Sequence, residues 1–165
     1  LAEHFPGRTC AQWVTDLTTH EHDIRTALGR PGARDSAGVA VGADFLVAVG
    51  LHAGVSGRGL PPLTVRAGRQ SWTVGTGEPP AAMPAAIEQA TNEQFAAALF
   101  DPREPPVGIE PVGTLEAPAF ELFRALTGRR SAAQIRSLGW TVDPDPYLPA
   151  FQFGPFTTSP IDIEE

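Results

Sequence analysis

Lysine is absent from the sequence, and cysteine occurs only once, at Cys10. A single cysteine excludes an internal disulfide framework and fits a protein of the reducing cytoplasm. All 12 basic residues are arginine and 19 residues are acidic, so the net charge is −7. This acidic balance argues against nucleic-acid binding, because phosphate contacts need a basic surface. We therefore expect no nucleic-acid partner.

Long apolar runs are missing as well. The most apolar stretch, VAVGADFLVAVGL, is interrupted by Asp44 and by small residues, and it is shorter than the roughly 20 residues that cross a bilayer. No secretory signal is visible. We therefore expect a cytoplasmic protein without a membrane span. The absence of lysine indicates GC-rich bacterial codon usage, and Leu1 in place of Met indicates an excerpt of a longer protein.

The chain does have the composition of a globular protein, with 42% hydrophobic and 19% charged residues, as folded domains have. The first predicted helix covers about 10–28, with Thr9 as N-cap and a stop at Gly29. A loop follows, and then a second helix near 36–52. The core face of this second helix is predicted to comprise Val39, Phe45, Leu46 and Val49.

The residue pattern changes from helical to alternating apolar and polar after about 54–61. We interpret 54–61 as a linker before a second domain. LTVRAGRQSWTVG predicts a hairpin around Ala67 and Gly68. The proline-rich stretch 78–111 has one helical island and is interpreted as an insertion. VGTLEA predicts another strand, and SAAQIRSLGW predicts a helix with a capping box. Between them, PAFELFRALTG predicts a helix that packs inward through Phe120, Phe123 and Leu126.

The first helix carries two polar residues where apolar ones are expected. On a helical wheel, His20 lies inside the apolar stripe and Asp16 lies at its edge, one turn earlier. We therefore expect Asp16 and His20 to face whatever the helix packs on, Cys10 to be buried, and His22 on the opposite face to be solvated. The apolar stripe itself comprises Trp13, Leu17, Ile24 and Leu28.

A buried carboxylate needs a partner, because burial of an unpaired charge is costly. Asp16 could pair with His20, an arginine could reach both, or a divalent metal could bind them. A carboxylate and an imidazole one turn apart can supply two of the three ligands of a catalytic zinc site, with Asp23 supporting His20 from behind. A plain hydrogen bond is the commoner result of this spacing. His52 and His4 are the remaining histidines, and neither is favoured as a third ligand.

These residues carry a family resemblance. CAQWVTDLTTHEHDIRTALGRPG resembles the last helix of the metal-binding domain in the actinobacterial mycothiol-dependent maleylpyruvate isomerases, which belong to the DinB-like four-helix superfamily. FELFRALTGRRSAAQIRSLGW resembles their small C-terminal domain, which is similar to sterol carrier protein 2 (SCP2-like). The resemblance covers most of 9–75 and 112–156. It implies an α+β chain: a partial DinB-like bundle over 1–55, then an SCP2-like sheet with helices on one face over 60–165, with the insertion at about 78–111.

The resemblance also implies site residues. In that family two histidines and a carboxylate hold a divalent metal, usually zinc, and Asp16 and His20 match two of these three ligands. The remaining histidine comes from an earlier helix that has no counterpart in this sequence. An arginine of the C-terminal domain holds the substrate carboxylates, which Arg129 or Arg130 would do through bidentate bonds. Alternatively, these arginines are solvated or neutralise the end of the preceding helix.

The implied activity is that of a metal- and mycothiol-dependent isomerase or thiol transferase acting on a small-molecule substrate. The metal would lower the pKa of the mycothiol thiol, and the thiolate would add to an electrophilic carbon. We also expect the chain to form a homodimer. The first alternative is a non-catalytic SCP2-like protein that binds a lipid or another hydrophobic ligand, and the second is an interaction fragment without an active site. The aromatic residues that would line such a lipid cavity are Phe120, Phe123, Trp140, Phe151 and Phe153. The alternative is that they belong to the hydrophobic core.

Overall fold

The first helix begins earlier than the sequence predicts. The computed structural model describes residues 8–76, 110–152 and 154–165, and in it helix α1 spans Arg8–Ala27. Thr9 therefore lies inside the helix, and its predicted role as N-cap is wrong. The predicted insertion at 78–111 lies almost entirely outside the described residues, as do His4 and Phe153.

The second helix is longer than predicted and changes its winding midway. It comprises α2 (Ala37–Phe45), a π-helical segment (Leu46–Leu51) and α3 (His52–Ser56). Ser36 caps its start by accepting a hydrogen bond from the Val39 amide at 3.3 Å, as N-cap residues do. The core face is confirmed, since the four predicted residues are all buried: Val39, Phe45, Leu46 and Val49.

By length and composition, the 20-residue run Ala37–Ser56 is also able to cross a membrane, with a mean hydropathy of 1.7 over an 18-residue window. However, 61% of that window is buried inside the structure. A core helix of a soluble protein meets the same criteria. The expected absence of a membrane span therefore stays a prediction.

The sheet has the strand order β2-β1-β3-β4. Strands β1 (Leu63–Ala67) and β2 (Gln70–Val74) form the predicted hairpin, and β3 (Gly113–Glu116) runs parallel to β1. The two-residue strand β4 (Gly139–Trp140) is antiparallel to β3. Burial alternates along β1, as expected for a sheet with one face on the core.

The remaining elements pack on the same core. Helix α4 spans Ala119–Leu126 and buries the three predicted residues, and α5 spans Ala132–Arg136 with the predicted capping box. A 3₁₀ segment, Asp145–Phe151, follows. The result is a mixed helix-and-sheet fold in which the buried apolar residues of the described part form one cluster, from Val39 to Phe151. The predicted domain boundary at about 54–61 is thus not marked by a break in this core, and it stays a prediction.

Helix α1 packs on α2 through the face opposite to the predicted one. Its buried residues are polar: Thr15, Thr18, Thr19 and His22. Thr18 lies against Gly38 of α2, where an added Cβ would come within 2.5 Å of its Oγ1. Thr15 lies near Gly42, where an added Cβ would be 3.4 Å from its Oγ1 and 2.5 Å from a Phe123 ring carbon. The two glycines let the helix axes approach closely, and small polar side chains fill the seam.

Two of the buried threonines, Thr15 and Thr19, hydrogen-bond their hydroxyls within α1. Thr15 donates to the Ala11 carbonyl at 2.7 Å, and Thr19 donates to the Thr15 carbonyl at 2.7 Å. Such bonds to the preceding turn remove the cost of burying a hydroxyl group. The threonine face can therefore be buried while the more apolar face is left in solvent.

Candidate functional site

Asp16 and His20 project together from the solvent-exposed side of α1. His20 Nε2 lies 3.5 Å from Asp16 Oδ1, and the two side chains are 64% and 77% exposed, respectively. The prediction that they face the packed side of the helix is wrong, because the threonine face occupies that side. Burial consequently gives no reason for a metal here. Their role as metal ligands stays a prediction that rests on donor type and proximity.

The donor set fits a metal only in part. A carboxylate oxygen and an imidazole nitrogen are suitable zinc ligands, but a catalytic zinc site takes three protein ligands. Among the described residues, no group of three His, Cys, Asp or Glu side chains is placed to hold an ion. His52 is placed on α3, where its Nδ1 accepts a hydrogen bond from the Gly75 amide at 3.3 Å. Asp16 and His20 would therefore supply at most two of the three ligands that such a site takes.

The rest of this surface is apolar. Trp13, Leu17, Ile24 and Leu28 are between 60% and 73% exposed, although the sequence predicts that they pack inward. Cys10 is exposed too, against the prediction that it is buried. We call the surface formed by Trp13, Asp16, Leu17, His20, Ile24 and Leu28 the outer face of α1. A large exposed apolar patch with a few polar groups commonly marks a binding surface.

Three arginines converge next to α1. Arg124 of α4 is 1% exposed, and its Nη2 donates to Asp23 Oδ1 of α1 at 2.8 Å. Its Nε donates to Glu165 Oε2 at 2.9 Å, and its Nη2 also contacts Glu165 Oε1. This bidentate pairing of a guanidinium with a carboxylate is the strong form of the ion pair. The whole arginine cluster comprises Arg124, Arg129 and Arg130 with Asp23, Glu121 and Glu165.

The two predicted substrate-binding arginines have different surroundings. Arg129 is partly exposed, and its Nη2 donates to Asp23 Oδ2 at 2.6 Å. Arg130 is buried, with its Nε 2.6 Å from Glu121 Oε2 and its Nη1 3.0 Å from Glu165 Oε2. Both are thus paired with acidic side chains of the protein. Arg129 is the more exposed of the two, and it binds Asp23 of α1.

Two carboxylates of the cluster, Asp23 and Glu165, are held as anions. Burial alone raises the pKa of Asp23, but hydrogen bonds from Arg129 and Arg124 outweigh it and leave the pKa below its ordinary value. Burial likewise raises the pKa of Glu165, and Arg124 and Arg130 bring it below the usual range. Both carboxylates therefore remain ionised at neutral pH.

The segment that carries Glu165 is fixed by α5. The Gln134 side chain accepts a hydrogen bond from the Ile163 amide at 3.1 Å and donates to the Ile163 carbonyl at 2.9 Å. Ser159 pairs with Ser131 in an isolated parallel bridge. Gln134 thus closes the capping box of α5 and positions Glu165 among the arginines.

His22 is buried, although the sequence predicts that it is solvated. It is 3% exposed, and its ring makes an edge contact with Phe120 at 4.9 Å between centroids. Its Nε2 is buried without a hydrogen-bond partner in the described structure. Burial and, secondarily, the charge of Arg124 lower the pKa of His22. The imidazole is therefore neutral at physiological pH.

The aromatic residues considered for a lipid cavity are mostly core. Phe120, Phe123 and Phe151 are buried in the common cluster. Trp140 is half-buried, and its indole N–H donates to the Ile135 carbonyl at 2.8 Å. This arrangement favours the core interpretation of these residues over the cavity interpretation.

Sequence reasoning missed Arg124 and Glu165. Arg124 follows Phe123 and lies four residues after Phe120, on the buried side of α4. A lone arginine in an apolar helical stripe is the signal that could have indicated a buried ion pair. Glu165 has no comparable signal. No protein-family model matches the chain, and neither a characterised protein nor a solved structure is detectably similar to it.

Proposed function

We propose that this chain is part of a metal- and mycothiol-dependent enzyme of the maleylpyruvate isomerase type, with its site on the outer face of α1. In this proposal α1 and the helix 37–56 belong to a DinB-like unit, and the sheet with α4 and α5 is SCP2-like. One observation carries the proposal: Asp16 and His20 project together from the exposed side of α1, 3.5 Å apart.

The relation between His20 and Arg129 follows from helix geometry. His20 and Asp23 are three residues apart on α1, so their Cβ atoms lie about 5–6 Å apart. Asp23 holds the guanidinium of Arg129 at 2.6 Å. The residue that holds this cationic group thus lies about one helical turn from His20 and about two turns from Asp16.

The chain's own residues have separate tasks in this proposal. Asp16 and His20 would hold a divalent cation, which when bound would lower the pKa of a thiol. Asp23 orients Arg129, which also donates to the Thr127 carbonyl. A guanidinium has five N–H groups, so Arg129 retains donors for a substrate carboxylate. Arg130 is enclosed by Glu121 and Glu165, and we assign it a structural task instead.

The test is metal binding by the purified protein. Titration with zinc against a chromophoric chelator should detect binding that is lost in His20→Ala and in Asp16→Ala. Glu21→Ala is the matched control, since Glu21 is an exposed acidic residue on the same helix that pairs with Arg25. In the cobalt-loaded protein, mycothiol should add a thiolate-to-cobalt absorption band. Zinc binding equal in wild type and in His20→Ala would refute the proposal.

A further inference from the structure

We propose that the groove between α1, α4 and α5 is a binding site for an acidic peptide segment, and that two copies of this chain exchange that segment. The segment is 159–165, which we call the acidic strap. In the exchanged dimer the strap of each copy fills the groove of the other. This inference does not depend on the proposed function, because neither Asp16 nor His20 takes part in it. The groove is lined by Arg124, Arg130, Ser131 and Gln134.

The groove binds the backbone of the strap. The Gln134 side chain makes two hydrogen bonds with Ile163, accepting from its amide at 3.1 Å and donating to its carbonyl at 2.9 Å. The Ser159 amide donates to the Arg130 carbonyl at 2.9 Å, and Ser159 forms a parallel bridge with Ser131. Binding sites for peptide segments obtain affinity from main-chain hydrogen bonds of this kind.

The groove also selects acidic side chains. The side chain of Glu165 is 4% exposed, and it accepts hydrogen bonds from Arg124 Nε at 2.9 Å and from Arg130 Nη1 at 3.0 Å. The Ser131 hydroxyl donates to the carboxylate of Asp162. Two carboxylates three residues apart therefore each have a partner in the groove, and arginine clusters commonly recognise acidic motifs in this way.

The arginine cluster has one uncompensated positive charge when the strap is released. Its three guanidinium groups are then matched by two carboxylates, those of Asp23 and Glu121. Arg124 is 1% exposed, and leaving a buried charge without its partner is costly. A groove that loses its own strap therefore binds the acidic strap of a second copy in preference to remaining empty.

The strap can leave its groove without opening the hydrophobic core. None of its residues belongs to the buried apolar cluster, and Ile161 is 68% exposed. Segments with few buried apolar contacts open more readily than the core does. Release of the strap therefore breaks ion pairs and hydrogen bonds but removes no side chain from the apolar core.

The connection 154–158 has room to straighten. Gly154 has a φ of +55°, and a side-chain carbon added there would meet no atom within 4 Å. Gly154, Pro155 and Thr157 are exposed. Exchange of an identical element restores the contacts of the closed chain. Its extent therefore depends on the protein concentration relative to the effective concentration of the strap, which is on the order of 1 mM for a short connection.

The first test shortens the connection in the full chain. Deletion of residues 154–157 removes about 13 Å of reach, so the strap no longer closes on its own groove. Sedimentation equilibrium should then show a dimer whose dissociation constant is at least about 100-fold below that of wild type. The matched control replaces 154–157 with four glycine and serine residues, which keeps the length, and it should associate as wild type does. A shortened variant that is no more dimeric than this control would overturn the exchange.

Two substitutions in the shortened variant test which carboxylate is recognised. Glu165→Ala should weaken the dimer at least about tenfold, because it removes the carboxylate that two buried arginines bind. Glu164→Ala makes the same change on the exposed neighbouring residue and should leave the dimer unaffected. Equal effects of the two substitutions would overturn the assigned site.

A peptide measurement needs no deletion. In the full chain carrying Glu165→Ala the strap has lost its buried contact, and a fluorescent peptide of residues 158–165 should bind with a rise in anisotropy. The same peptide carrying Glu165→Gln should bind at least about tenfold more weakly. Equal or absent binding of the two peptides would overturn the acidic-peptide site. Binding of the first peptide without a dimer of the shortened variant would overturn the second copy as its source.

Discussion

The buried ion pair between Arg124 and Glu165 makes the sharpest prediction for stability. The two side chains are 1% and 4% exposed, and Arg124 also binds Asp23 of α1. Glu165→Gln preserves the size of the side chain and one carbonyl acceptor, but it removes the negative charge between two buried guanidinium groups. The variant therefore isolates the charge from the packing.

The expected loss follows from what remains after the change. Removing one partner of a buried pair costs about 3–5 kcal/mol when the other charge is left uncompensated. Here Arg124 retains Asp23, and Arg130 retains Glu121. We therefore expect a smaller loss in the free energy of unfolding, about 2–3 kcal/mol at pH 7. For a chain of 165 residues this lowers Tm by about 5–10 °C.

Urea denaturation at pH 7, followed by circular dichroism, measures the difference. Glu21→Gln is the control, because its exposed pair with Arg25 is expected to contribute less than about 0.5 kcal/mol. A Glu165→Gln variant that is no less stable than this control would refute the reasoning.

The pH dependence of the stability difference between wild type and Glu165→Gln is a second test of the role of this charge. The pKa of Glu165 is lowered in the folded protein. Its charge therefore stabilises the fold above the unfolded-state pKa, about 4.3, and this contribution is lost as the pH falls through the folded value. The gap between wild type and Glu165→Gln should shrink on acidification. A gap that stays constant down to acid unfolding would show that packing, and not charge, causes it.

The remaining predictions concern buried positions. His22→Phe should be neutral or stabilising by up to about 1–2 kcal/mol in urea denaturation at pH 7, because it removes an unpartnered buried nitrogen. Because the pKa of His22 is lowered in the folded protein, the unfolded state binds more protons below about pH 6.5. The wild type should therefore lose stability there relative to the variant. Parallel curves of unfolding free energy against pH for the two proteins would contradict this. Gly54→Ala should cost more than about 2 kcal/mol, because the new Cβ would lie 2.3 Å from the backbone oxygen of Ala150. Gly42→Ala, which meets the movable ring of Phe123, should cost less, and thermal unfolding of the two variants compares them.

Most elements could be predicted because their signals are local. The capping box of Ser131 and Gln134 is readable from four consecutive residues and is present as predicted. The hairpin was equally accessible, since apolar residues alternate on both sides of Gly68. These signals depend on neighbours in sequence, so no tertiary contact was needed to recognise them.

The orientation of α1 could not be predicted from its own composition. The apolar stripe suggested that Trp13 and Leu17 pack inward, yet close approach to Gly38 and Gly42 selects the face with small side chains. Spacing of these glycines by four residues was visible in the sequence, and it indicates a close helix contact. It does not indicate which helix makes the contact, and that information lies in the fold alone.

The arginine cluster could not be predicted from the sequence for the same reason. Arg124 and Asp23 are 101 residues apart in sequence, and no periodic pattern relates them. The pair Arg129 and Arg130 drew attention as adjacent charges, but sequence gave no means of separating their surroundings. Only the packing of α4 against α1 distinguishes the half-exposed arginine from the buried one.

The π-helical segment Leu46–Leu51 allows the helix 37–56 to pack against its neighbours through two differently oriented faces. A π turn contains about one residue more than an α turn, so the residues after it are rotated by about 100° relative to an uninterrupted α-helix. Before the segment the helix contacts α1 and α4, and after it the helix contacts β2 and the 3₁₀ segment. An uninterrupted α-helix would direct one apolar face toward one neighbour. The rotation at the π-helical segment lets this one helix pack against both the helical layer and the sheet.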